Sequence, residues 1–173
     1  MYSITPRWIK SDENFERMWR EFHNAVIDLD SERARMRVYD FLEREVLGPL
    51  GYRYINKGDY IVAVPPNRPN YLCIFLYVGN YDSYTKHEII RYAIDIALRE
   101  SAVEGLSSLK GLSNTKIFII SRNIMYELVF FDDSLKWSAL PLEDIHGDER
   151  LDSYAFSRLL SRLTMLAEKP LYP

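Results

Sequence analysis

Tyr71-Leu72-Cys73-Ile74-Phe75-Leu76-Tyr77-Val78-Gly79 sets the centre of the fold. Everything before Gly79 in it is nearly all apolar, without alternation, which is the pattern of a strand covered on both faces. At a sheet edge the same run would be exposed to water and to aggregation, so it belongs at the centre. Cys73, the chain's single cysteine, reads there as a small buried hydrophobe, because a reactive thiol needs exposure and nearby positive charge.

Upstream, residues 52–55 and 60–64 read as strands around Asn56-Lys57-Gly58-Asp59, a hairpin signal. Pro65-Pro66-Asn67-Arg68-Pro69-Asn70 is a loop, since proline cannot donate to a ladder. Before the hairpin, two helices are expected. The first is capped by Ser11 or Asp12 and runs to about Leu29, with Phe15, Met18, Trp19, Phe22, Val26 and Leu29 on one stripe. The second starts at Asp30 or Ser31 and buries Ala34, Val38, Phe41, Leu42 and Glu45 or Val46. Gly48-Pro49-Leu50-Gly51 is expected to stop it.

Downstream of Gly79, a third helix turns Ile90, Ala93, Ile94, Ala97 and Leu98 inward. Residues 105–115 form a Gly/Ser/Leu loop expected to be mobile. Strands follow at 116–120 and 125–131, with a short edge strand at 137–140. A last helix, about 151–168, buries Phe156, Leu159, Leu160, Leu163 and Leu166. These strands and helices define an α/β protein with a mixed central sheet flanked by helices.

A chain of 173 residues fits one domain. It divides into an N-terminal arm and helix over 1–30, a core over 31–131, and an acidic loop with the last helix over 132–173. An apolar content of 47% excludes disorder as the main state. No stretch approaches the ~20 apolar residues of a membrane helix. The N-terminal segment meets Arg7 and Lys10 at once and has no apolar signal core. A cytoplasmic chain is expected, or a nuclear one in a eukaryote, with no membrane partner.

The common chemical signatures are missing: no Gly-rich phosphate loop, no Cys or His pair at metal spacing, no Gly-x-Ser-x-Gly elbow. His23, His87 and His146 are scattered, and His23 adjoins the apolar stripe as a packing residue would. A net charge of −3 leaves no global basic footprint, so any nucleic-acid role rests on a local patch. Arg33, Arg37 and Arg44 share one face of the second helix. Lys57 and Arg68 stand among eight tyrosines between residues 52 and 92, and aromatic faces with cations track single strands. The competing reading is ordinary: Tyr favours strands, and Asp40 and Glu43 lie close enough to pair with the arginines. Residues 127–149 hold seven acids against the single Lys136, so that end should repel phosphate.

The second helix ends in Leu42-Glu43-Arg44-Glu45. Gly51-Tyr52-Arg53-Tyr54-Ile55, Gly58-Asp59-Tyr60-Ile61, the apolar strand entering Gly79-Asn80-Tyr81, an amphipathic helix and Lys116-Ile117-Phe118-Ile119-Ile120-Ser121 follow. Over residues 31–131 this order resembles the restriction-endonuclease-like superfamily, the PD-(D/E)xK nucleases. The resemblance implies a site in which an Asp opens one strand and a (D/E)-x-K triplet ends the next, holding metal ions that activate water. Asp59 matches the first position. The triplet falls on Tyr77-Val78-Gly79, with neither carboxylate nor lysine. Glu45, Lys86 and Glu88 are the candidate replacements.

The resemblance thus implies a nucleic-acid-associated or structural subunit with a decayed metal site and no cofactor. Two alternatives stand beside it: an active nuclease with migrated ligands, requiring Mg²⁺, and a protein-interaction module. Partners left open are DNA or RNA, a second copy, or another protein. The order is also similar to the C-terminal domain of tRNA-splicing endonuclease, whose chemistry uses Tyr, His and Lys without metal. No histidine lies between Asp59 and Tyr81, so that likeness implies a non-catalytic subunit, with Lys116 as its echo.

Overall fold

The computed structural model describes residues 5–82, 84–103, 109–131, 137–141 and 152–169. Helix α1 spans Asp12–Val26, and the Ser11 side chain caps it by accepting from the Asn14 N–H. It stops before Leu29, which is 90% exposed instead of closing the apolar stripe. Asp28 and Asp30 explain the early stop: Asp30 is the cap of α2, Ser31–Phe41, accepting from the Arg33 N–H. Beyond Phe41 the helix widens into a π segment, Leu42–Leu47, then adds the α turn Gly48–Leu50. Pro49 lies in the last turn of this continuous helix, just past the π segment. The stop comes at Gly51, at φ 84°, so the helix outlasts the Gly-Pro signal.

Six strands follow in spatial order: β1 Arg53–Asn56, β2 Ile61–Val64, β3 Leu72–Tyr77, β4 Thr115–Ile120, β5 Met125–Phe130 and β6 Trp137–Pro141. Neighbours are antiparallel except β3 and β4, which run parallel and are joined through helix α3, Lys86–Val103. β3 is interior and every one of its residues is buried, as its unbroken apolar run requires. β5 belongs to the same sheet.

Alternation sorts the strands into two faces. Ile61, Ala63, Cys73, Phe75, Tyr77, Phe118 and Ile120 meet α1, α2 and the last helix, α4, Ser153–Ala167. Phe156 of α4 is the hub, with the rings of Phe15, Trp19, Phe22 and Phe41 around it at 4.9–5.9 Å. Val62, Ile74, Leu76, Ile117, Ile119 and Leu128 face the other way and meet Ala93, Ile96 and Ala97 of α3. The buried line of α3 therefore runs through Ile96 to Glu100, and Leu98 is 38% exposed, contrary to the expected stripe. Lys57 and Tyr60 draw Glu100 inward by hydrogen bonding to its carboxylate.

Within the 105–115 loop, Leu109–Asn114 forms a 3₁₀ turn, and residues 105–108 lie outside the described residues. The acidic run beyond Glu127, residues 132–136 and 142–150, and His146 lie outside them as well. Among the described residues, no helix is long and apolar enough to cross a membrane.

Candidate functional site

Asp59 sits just before β2. Ile61 pairs with Phe75 in the antiparallel register, so Asp59 stands across from Tyr77 at the end of β3. Tyr39, buried on α2, joins the two strands: its hydroxyl donates to the Asp59 carbonyl at 2.7 Å and accepts from the Tyr77 N–H at 2.9 Å. Burial pushes the Tyr39 phenol well above its ordinary range, so it stays a neutral donor. The Asp59 carboxylate takes Arg35 Nη1 at 3.5 Å, and Arg35 also approaches Glu32 at 3.9 Å. Ser31, Glu32, Arg35, Tyr77, Val78 and Gly79 line a pocket of about 400 Å³. It opens at the carboxyl end of the parallel β3–β4 pair, where open α/β sheets place their ligands.

Tyr77 and Gly79, which the resemblance in element order would assign to a metal-binding triplet, do structural work. The Tyr77 hydroxyl donates to the Val26 carbonyl at 2.6 Å, bracing the end of α1. Gly79 has φ 69°, and Ser31 Oγ lies 3.2 Å from where a Cβ on it would stand. A lysine there would strain the backbone and press on the first turn of α2. Arg122, at the end of β4, holds that turn in place. Its guanidinium donates to Ser31 Oγ at 2.9 Å, Asp28 O at 3.0 Å, Leu29 O at 3.2 Å and Asn80 Oδ1 at 2.8 Å.

The candidate replacement ligands do not gather at Asp59. Glu45 pairs with Arg17 at 3.2 Å and Arg44 at 2.7 Å along the seam between α1 and the π segment. Lys86 and Glu88 open α3, the helix on the opposite face of the sheet. There Glu88 lines a separate pocket of about 540 Å³ with His87, Ile90, Arg91, Ile94 and Asp95. Among the described residues, no three His, Cys, Asp or Glu side chains stand together as a metal-binding group. A lone carboxylate beside an arginine does not fit a hard divalent cation, which takes most of its ligands from anionic oxygen.

The basic candidates fall into three places. Arg33 at 2.6 Å and Arg37 at 3.1 Å share one carboxylate, Asp28. Arg33 first, then the Asp30 N–H and Arg37, hold the Asp28 carboxyl far below its usual range. Arg44 pairs with Glu21 and Glu45, so the arginine stripe exists and runs along the α1–α2 seam. The carboxylates of Asp28 and of the cap Asp30 balance the two guanidiniums in formal charge, while the Arg33 and Arg37 side chains stay 64% and 45% exposed. Lys57 instead reaches Glu100 at 2.8 Å on the α3 face. Arg68 donates to the last carbonyls of α4, including Leu166 O at 2.9 Å, as a cationic C-cap.

Sequence reasoning missed Arg35, Tyr39, Arg122, Glu100 and the pair Glu127–Arg162. Arg162 Nε meets Glu127 Oε1 at 2.6 Å, with the Glu127 side chain 1% exposed. A lone charge inside the apolar strand 125–130 was the available signal for that pair. Lys116, half-buried nearby, donates to the Ser113 carbonyl at 3.2 Å, and burial lowers its amine pKa. His23 stacks on Trp19 at 4.9 Å, a packing role. Comparison with known proteins returns no match among protein families, curated proteins or solved structures.

Proposed function

We propose that this chain is a nucleic-acid-associated, non-hydrolytic subunit built on a restriction-endonuclease-like fold. The element order and the antiparallel β1–β2–β3 meander, followed by α3 and a parallel β4, support that fold. One observation carries the loss of hydrolysis: Gly79, at positive φ beneath Ser31, stands where the resemblance puts the lysine. Arg35 beside Asp59 supports the same reading, since its guanidinium puts a positive charge next to the carboxylate that a cation would need. The exposure of the Arg33 and Arg37 guanidiniums supports association through that side of α2.

Binding of single- and double-stranded DNA and RNA, measured across a salt series, tests the reading. Counterion release makes affinity fall with rising salt, by a log–log slope of roughly 0.7–0.9 per phosphate contact. Changing Arg33, Arg37 and Arg44 to Ala should weaken binding and flatten that slope. No binding at low salt, or a slope unmoved by the triple variant, would contradict the nucleic-acid role.

A further inference from the structure

β1 is the outer strand on its side of the sheet, and all its residues are exposed. The Lys57 N–H donates to the Tyr60 carbonyl at 2.9 Å, which fixes the parity of the β1–β2 ladder. Arg53 and Ile55 face their bonding groups toward Val64 and Val62, so those of Tyr54 and Asn56 point away from the sheet. The Tyr52 N–H, of the same parity, is already taken by the Leu47 carbonyl at 2.9 Å. The open edge is therefore 54–56. It carries no proline and no bulge, and its guards are the four-residue length of β1 and the charges of Arg53 and Lys57.

The side chains around this edge are asymmetric. Tyr54 and Asn56 share the face of α2, while Ile55, 60% exposed, lies on the α3 face with Arg53 and Lys57. Glu43, on the π segment, reaches the Asn56 side chain and has no cationic partner among the described residues. Burial and then the neighbouring Asp40 raise its pKa, as for a half-buried carboxylate awaiting a countercharge.

We propose that the β1 edge binds an extended segment of a partner protein by strand addition, selecting lysine or arginine in alternation with apolar residues. Added antiparallel to β1, such a segment bonds to the outward groups of Tyr54 and Asn56. Its basic residues then fall on the Glu43 face and its apolar ones beside Ile55. A second copy fits poorly. A two-fold centred on Tyr54, Ile55 or Asn56 brings only Tyr, Asn or Gly to the Glu43 face, never a cation. This inference goes beyond the nucleic-acid reading and holds independently of it.

The test is fluorescence anisotropy of the full chain with a capped, labelled hexapeptide alternating Lys and Val. Three comparisons accompany it: the same peptide N-methylated at its lysine backbone nitrogens, a Glu/Val peptide, and the variants Glu43→Gln and Tyr54→Pro. Saturable binding of the Lys/Val peptide is expected. N-methylation and Tyr54→Pro should each weaken it roughly tenfold, the effect of losing one or two hydrogen bonds. Glu43→Gln should weaken it less, and the Glu/Val peptide should not bind. Tyr54→Pro removes an N–H unused inside the fold; if that variant unfolds, the N-methylated peptide makes the same comparison on the unaltered chain. No binding, equal binding of the methylated peptide, or a dimer that Tyr54→Pro dissociates would overturn the proposal.

Discussion

Glu127 and Asp59 both meet an arginine on the same face of the sheet, yet one pair is sealed inside and the other stands at an open end. Glu127 lies in β5 across from Phe118, and Arg162 of α4 grips both its oxygens, at 2.6 and 3.1 Å. Asp59 precedes β2, its side chain is 68% exposed, and Arg35 touches one oxygen at 3.5 Å. Desolvation makes a buried charge intolerable without its partner, so the first pair is bound to the fold's survival. Solvent screens the second, so stability alone does not hold Arg35 on Asp59. The difference separates residues the fold needs from residues free to serve a site.

The largest effect should come from the sealed pair. Arg162→Ala strands the buried Glu127 and should cost about 3–5 kcal/mol, read as a lower urea midpoint. A loss below ~1 kcal/mol, the range of exposed pairs, would erase the contrast.

A smaller effect, visible through pH, should come from Asp28. Its folded-state pKa is depressed, chiefly by Arg33, from the ordinary 3.8. Its contribution is therefore full at neutral pH and lost as pH falls below that ordinary value toward the lower folded one. The urea midpoint of Asp28→Asn should lie below that of the unaltered chain at pH 7, and the gap should narrow in acid. A gap constant with pH would mean that Asp28 acts without its charge.

Asp59→Ala should do least, within about 1 kcal/mol of the unaltered stability. A larger loss would make the Arg35–Asp59 pair a structural fixture and remove the reason to place a site there.

Much of this was readable in the sequence because apolar periodicity reports burial directly. The interior position of β3 follows from its unbroken run, and α1 from Phe15, Met18 and Phe22 at helical spacing. Charged residues escape the same logic: Glu100 and Glu127 are drawn inward by Lys57, Tyr60 and Arg162, which come from other elements. The π segment escaped notice because no local signal distinguishes it from the α-helix that precedes it. The site was half legible. Asp59 and the Tyr77–Gly79 positions came from the resemblance in element order alone. Tyr39 bridging β2 and β3, and Arg122 clamping Ser31 above Gly79, depend on contacts between distant parts of the chain.

Cleavage is the most direct test of the central claim, that the chain associates without hydrolysing. Labelled single- and double-stranded DNA and RNA would be incubated with the purified chain in Mg²⁺ or Mn²⁺, alongside Asp59→Ala. Substrates should stay intact in every arm, because phosphodiester hydrolysis by this chemistry needs a cation held by more than one carboxylate. Metal-dependent cleavage that Asp59→Ala abolishes would contradict it and show Asp59 to be a working ligand despite Arg35.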